Sequence, residues 1–278
     1  MCLQLFCQEE FLRRLSMSQY KNNFILKGGL FIYTLTEFQS RATQDIDFLM
    51  QHLTYDINRV KGIMEEICQT SSANDYITLI VLDAKNITLD KDYPGVSLKF
   101  MGRIKKIRVP FSVDIGIDDV IVPGSVIRSL KTQLSDFEEP QIYTYSLEST
   151  IAEKFDAILK RMEATSRMKD FFDIYYLSSM FDFDGHKLQG AIRQTIQHRN
   201  TPYETKSFER ILEFRSNSFL LDQWQRFQPS IQMDLPDFTK IIDRLCKFIE
   251  PVFAAIVQDK DFIFHWSAEE MLWKTDIL

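Results

Sequence analysis

The chain has 278 residues, 45% hydrophobic and 26% charged, with 23 phenylalanines but only 9 glycines and 8 prolines. This composition argues against a disordered or fibrous protein and suits one large domain or two modest ones, each with a sizeable core. A net charge of −6 argues against non-specific coating of long nucleic acid, which needs clustered cations, but allows a local basic patch that grips a short or structured RNA. Cys2, Cys7, Cys68 and Cys246 follow neither a C-x-x-C nor a zinc spacing and read as reduced structural thiols. No apolar run approaches the length of a membrane span, and Met1 to Glu10 carries no basic stretch ahead of an apolar core, so the expected location is the cytoplasm.

Taken in order, residues 5–18 read as a helix with Phe6, Phe11, Leu12 and Leu15 inward and Glu9, Glu10, Arg13 and Arg14 toward water. Asn22 and Asn23 break that pattern, and Phe24-Ile25-Leu26 forms a short buried strand running into Lys27-Gly28-Gly29. A helix over Leu30 to Phe38 would begin at the glycines and place its positive end there. Asp45 to Met50 is the next strand, and Asp56 to Gln69 is an amphipathic helix capped by Asp56. Strands are expected at Tyr76 to Leu82, Val96 to Met101 and Ile107 to Ile117. In the last, Val109, Phe111, Val113, Ile115 and Ile117 alternate with Pro110, Ser112, Asp114 and Gly116, so Asp114 sits mid-strand, facing away from the core.

Beyond Ile117 the texture changes. Pro123-Gly124 and Pro140 bracket a connection, and Gln141 to Tyr145 makes at most one short strand. Helices then follow: one capped by Ser146 and running through Met162, then Lys169 to Met180, Leu188 to His198, Phe208 to Arg215 and Phe238 to Val257. The aromatic tail from Asp259 to Leu278 is expected to pack back on the body. The expected fold class is α+β: a mixed sheet with flanking helices over residues 1–140, then a helical domain over residues 141–278.

Asp45 and Asp47 are two apart in a strand and project from one face. Neighbouring carboxylates repel unless a cation lies between them, and a divalent metal is the usual solution. Gly28 and Gly29 offer backbone N–H groups and the close approach that a phosphate needs, with Lys27 and Arg41 as nearby cations. Asp114 from a second strand would complete a carboxylate set able to bridge metal ions. A phosphate cradle followed by Asp-x-Asp is the layout of a nucleotidyltransferase; the alternative is a row of surface acids on an exposed sheet face. Lys154 and Arg161 share one helix face, and Asp170 and Asp173 share a face of the next. These four read either as salt bridges that fix helix packing or as part of a site. The basic run Lys99, Arg103, Lys105, Lys106 and Arg108 reads either as an RNA-backbone contact or as a solvated strand edge.

Three segments, FILKGGLFIY…SRATQDIDFLM, FSVDIGIDDVI and YSLESTIAEKFDAILKRMEATSRMKDFFDIYYL, resemble the AbiEii/AbiGii-type nucleotidyltransferase toxins of the polymerase-β-like superfamily, over about residues 5–180. The resemblance implies a nucleoside triphosphate as co-substrate, Mg2+ or Mn2+ as cofactor, a cognate antitoxin, and RNA, most specifically the tRNA 3′ end, as acceptor. It also implies that Gly28 and Gly29 form the phosphate loop and that Asp45, Asp47 and Asp114 are the metal carboxylates; the nearby Lys27 and Arg41 read either as solvated surface charges or as cations facing the triphosphate, Arg41 more so. Lys154 would contact the triphosphate, with Arg161 a candidate beside it by helix-face spacing alone, and Asp170 or Asp173 would be the late essential aspartate. The superfamily usually has Gly-Ser at the loop; here Gly29 stands in place of the serine. A protein or small-molecule acceptor, or a catalytically silent interaction module on the same fold, are the competing functions.

Overall fold

Strand β5 (Ile107–Ile117) organises the first half of the molecule, because its alternating pattern gives it one buried and one open face. In the computed structural model, which describes residues 2–72, 74–87, 94–231 and 233–275, the chain divides into two units. One comprises residues 1–119 with 125–145; the other comprises 120–124 with 146–278.

The first unit is built on a mixed sheet. Its strands are β1 (Phe24–Lys27), β2 (Asp45–Met50), β3 (Ile77–Ile87), β4 (Gly95–Ile104), β5, β6 (Val126–Ser129) and β7 (Gln141–Thr144), in the order β3-β4-β5-β2-β1-β7-β6 among the described residues. The β2–β5 and β1–β7 pairs are parallel and the others antiparallel. Helices α1 (Cys2–Met17) and α3 (Ile57–Gln69) pack against this sheet. Phe11 of α1 sits at the centre, its ring 5.3 Å from Phe100 and 6.2 Å from Phe48. Asp56 caps α3 as expected, accepting from the Arg59 amide at 2.8 Å.

Helix α1 corrects one expectation. Glu9, Glu10, Arg13 and Arg14 are buried, not turned to water. Glu10 accepts from Arg13 at 2.5 Å, Arg14 at 2.7 Å and Asn74 at 2.9 Å, and from the Ser72 hydroxyl. Arg14 also donates to the Ile77 carbonyl at 2.8 Å and to that of Cys68. Glu9 accepts from the Gln133 amide at 2.8 Å. The stripe is tolerated inside because both Glu10 oxygens meet donors and the Arg13 and Arg14 guanidinium groups meet acceptors, although Nη2 of Arg13 is buried with no hydrogen bond among the described residues.

The second unit is mainly helical: α4 (Leu147–Arg161), α5 (Met168–Met180), α6 (Gly185–His198), α7 (Ser207–Glu213), α8 (Ser218–Phe227) and α9 (Phe238–Val257). Ser146 caps α4 by accepting from the Ser149 amide at 3.0 Å. The loop 120–124 is strapped to that cap, with Ser146 donating to the Val122 carbonyl at 2.6 Å and Val122 donating to Ser149 at 2.7 Å. Phe155, Phe208 and Phe253 interlock at 5.3–5.6 Å in the core. The described part of the aromatic tail packs back as β9 (Phe264–Ser267) and β10 (Leu272–Thr275), which join β8 (Phe183–Asp184) in a small sheet. Residues 276–278 of the tail lie outside the described residues. Trp266 is buried and donates to the Ser178 carbonyl at 2.7 Å, and Trp273 donates to that of Phe248 at 3.0 Å. Among the described residues no helix is long and apolar enough to cross a membrane.

Candidate active site

β2 enters the sheet with Ile46 and Phe48 buried in the core, which forces Asp45 and Asp47 to the opposite face. Its parallel partner β5 does the same with Val113 and Ile115, and turns Asp114 outward. The register sets Asp47 directly opposite Asp114 and Asp45 opposite Ser112, whose hydroxyl donates to the Asp45 carboxylate. Three acids predicted from separate stretches thus share one face of two adjacent strands.

On the other side of β2, Lys27 of β1 pairs in register with Asp47. Helix α2 (Gly28–Leu35) starts at once after it, with Lys27 at its N-cap in extended conformation and making no side-chain cap hydrogen bond. Gly28 has φ +69°, and a Cβ there would stand 2.1 Å from Oδ2 of Asp47. Only glycine permits that backbone conformation and that approach together. At Gly29 a Cβ would meet Thr43 at 3.0 Å and an Arg41 guanidinium nitrogen at 3.3 Å. A side chain at 29 would therefore crowd Thr43, which would have to give way slightly. Lys27, Gly28, Gly29, Arg41, Asp45, Asp47 and Asp114 all lie in the first unit.

Lys27 has a further pair of partners that the sequence reading missed. Its Nζ lies 3.4 Å from Oδ2 of Asp119 and 3.4 Å from the Tyr145 hydroxyl, and it sits 5.1 Å from the Tyr145 ring centroid. The available signal was the doubled acid Asp118-Asp119 just past a strand end.

In the second unit Lys154 lies between the two acids of α5, with Nζ 2.5 Å from Asp173 and 3.5 Å from Asp170. Asp170 also accepts from Arg167 at 2.5 Å. All three members of the Lys154 cluster are buried. Arg161, expected beside Lys154, is exposed in the last turn of α4 and does not share that buried setting. The neighbouring Glu153 pairs with Arg199 at 2.6 Å, and Arg199 also reaches Asp156 at 3.2 Å. Burial pushes the Asp156 carboxyl up from its ordinary range, against the opposing pull of Thr201 and Arg199.

Among the described residues, no group of three or more His, Cys, Asp or Glu side chains is arranged to hold a metal ion. The donors nonetheless fit a hard divalent cation by type. Asp47 and Asp114 offer carboxylate oxygens from paired positions, and Asp45 offers a third on the same face.

Over residues 10–258 the chain matches the family model of the nucleotidyl transferase AbiEii toxin, a type IV toxin–antitoxin system. The chain belongs to that family. It is therefore an AbiEii-type transferase, and membership implies a nucleoside triphosphate substrate and a cognate antitoxin. MenT4, a nucleotidyltransferase toxin from Mycobacterium tuberculosis, is similar in fold, with TM-score 0.54 at 15% identity over 93% of each chain. JHP933 from Helicobacter pylori gives TM-score 0.50 at 14% identity, again over 93% of each chain. No curated protein matches the sequence. The α+β architecture expected from the sequence is present as a mixed sheet with helices, and it is similar to the fold of the MenT4 nucleotidyltransferase toxin.

Proposed function

We propose that this AbiEii-family toxin is a divalent-metal-dependent nucleotidyltransferase that moves a nucleotide from an NTP to RNA, with the tRNA 3′ end as acceptor. The observation that carries the metal-dependent chemistry is the register of Asp47 against Asp114, with Gly28 packed onto Asp47. Asp45, Asp47 and Asp114 would hold Mg2+ or Mn2+, which supplies Lewis-acid stabilisation of the transferring phosphate. Gly28, Gly29 and the first amides of α2 receive phosphate oxygens, and Lys27 and Arg41 offset their charge. An acceptor hydroxyl attacks the α-phosphorus and the bond to the β-phosphate oxygen breaks, releasing pyrophosphate. Asp114 either completes the metal ligands or takes the hydroxyl proton.

Support for a polyanionic acceptor comes from the hairpin of β4 and β5. Lys99, Arg103, Lys105, Lys106 and Arg108 are all exposed, and among the described residues no ion pair engages any of them. Lys99 stands opposite Ser112, next to Asp45, and Arg103 stands opposite Arg108. The cations on the strands thus occupy the face that carries the carboxylates, and run about 20 Å along it from Asp114 to Arg108. Such a row suits a phosphate backbone. For the tRNA 3′ end in particular, the support is the sequence resemblance described above.

The test is incubation with total tRNA and each α-labelled NTP, with RNA and protein resolved separately. Label in tRNA supports the reading. Label confined to protein bands moves the acceptor to a polypeptide, and no label with any acceptor leaves an interaction module.

A further inference from the structure

Lys27 ends β1, yet its side chain crosses β2 to reach the strand beyond. Its Nζ lies 3.9 Å from the place a Cβ on Gly116 of β5 would occupy. Gly116 is two positions past Asp114 and on the same strand face, so the ammonium lies over the carboxylate face. There it meets Asp119 and Tyr145, each at 3.4 Å, and the Tyr145 hydroxyl is itself 3.4 Å from the Asp119 carboxylate. The Asp119 side chain is only 6% exposed and Tyr145 is fully buried. The cation and the hydroxyl beside this enclosed carboxylate give its oxygen polar partners. Asp119 follows β5 and Tyr145 follows β7, so two separate connections converge on one lysine.

We propose that Asp119 and Tyr145 are positioning residues that hold the Lys27 ammonium over the carboxylate face, where it receives the phosphates of the incoming nucleoside triphosphate. This rests on reading Asp45, Asp47 and Asp114 as the active site. Lysine is a flexible four-carbon stem with a strongly hydrated head. Fixing it before the nucleotide arrives removes an ordering cost that would otherwise fall on binding. The ammonium lies beside Gly116 at ordinary contact distance, and the acid–hydroxyl pair sets its end point.

The experiment measures binding of non-hydrolysable α,β-methylene analogues of the four nucleotides, with Mn2+, to the full chain. Variants are Asp119→Asn, Tyr145→Phe, Lys27→Met, Lys27→Arg and the double variant Lys27→Met with Asp119→Asn. Asp119→Asn and Tyr145→Phe should each weaken binding about tenfold, the equivalent of ~1.4 kcal/mol. Lys27→Met should weaken it at least as much, and adding Asp119→Asn to it should cost nothing more, because the group being positioned is gone. Lys27→Arg should restore most of the affinity. Additive losses in the double variant, or unchanged affinity in folded Asp119→Asn, would overturn the proposal. If Asp119→Asn fails to fold, Tyr145→Phe, which keeps the ring, carries the same comparison. Transfer by Asp47→Asn separates the two levels. Transfer that survives this change overturns the active-site reading beneath the proposal. Transfer that disappears while Lys27→Met and Asp119→Asn bind normally overturns the positioning role alone.

Discussion

Asp47 and Asp114 are direct partners in the parallel β2–β5 ladder, both on the face turned away from the core. Adjacent strands run about 4.8 Å apart, so two carboxylates at paired positions repel until a cation joins them. Isothermal titration with Mn2+ should therefore give binding to the wild type that Asp47→Asn and Asp114→Asn each weaken at least tenfold. Equal affinity in all three proteins would remove the metal from this face.

Gly28 is held by two constraints at once, a positive φ and contact with Asp47. Gly28→Ala must either strain the turn or push the Asp47 carboxylate aside. The expected cost is about 1–2 kcal/mol in urea unfolding, together with lost transfer. A stable, fully active Gly28→Ala would show that the close approach plays no part.

These elements differ in how far they could be read from sequence. The β5 alternation and the Asp45-x-Asp47 spacing were legible because a strand has a strict two-residue period, and side chains on such a strand have only two faces to choose from. The caps of α3 and α4 were legible for a similar reason: Asp56 and Ser146 act within three residues of themselves. The stripe on α1 was misread because helical periodicity sorts residues into faces without saying what covers each face. Glu10 finds its partners in Ser72 and Asn74, more than sixty residues away. Asp119 and Tyr145 were missed for the same reason, since only the sheet order brings the segments after β5 and β7 to Lys27.

Glu9 makes the stability of the first unit depend on pH. Burial lifts its carboxyl from the ordinary value near 4.5 to about 7, although the Gln133 hydrogen bonds and Arg13 pull the other way. The folded state therefore holds a proton that the unfolded state has released between those values. Stability should fall as pH rises from about 4.5 to about 7 and then level off, by up to roughly 3 kcal/mol. Glu9→Gln, which stays neutral and still accepts from Gln133, should flatten that slope in urea unfolding at pH 5 and 8. A slope unchanged in Glu9→Gln would assign it to other groups.

Lys154 separates structural from catalytic loss. Removing its charge takes the buried cation from between Asp170 and Asp173, and Lys154→Met should destabilise the chain by about 3–5 kcal/mol. Restoring neutrality with Asp173→Asn in the same chain should recover part of that. A urea midpoint that does not move in Lys154→Met, with transfer lost, would instead assign the lysine to the triphosphate.

The central claim is that the carboxylates of β2 and β5 carry the transfer reaction. Its most direct measurement is the initial rate of nucleotide incorporation into tRNA by wild type and by Asp47→Asn, at equal concentration and saturating Mg2+, with folding checked by thermal melting. The expected result is incorporation by the wild type and a loss of at least about 10²-fold in a variant that melts normally. Equal incorporation by the two proteins would contradict it.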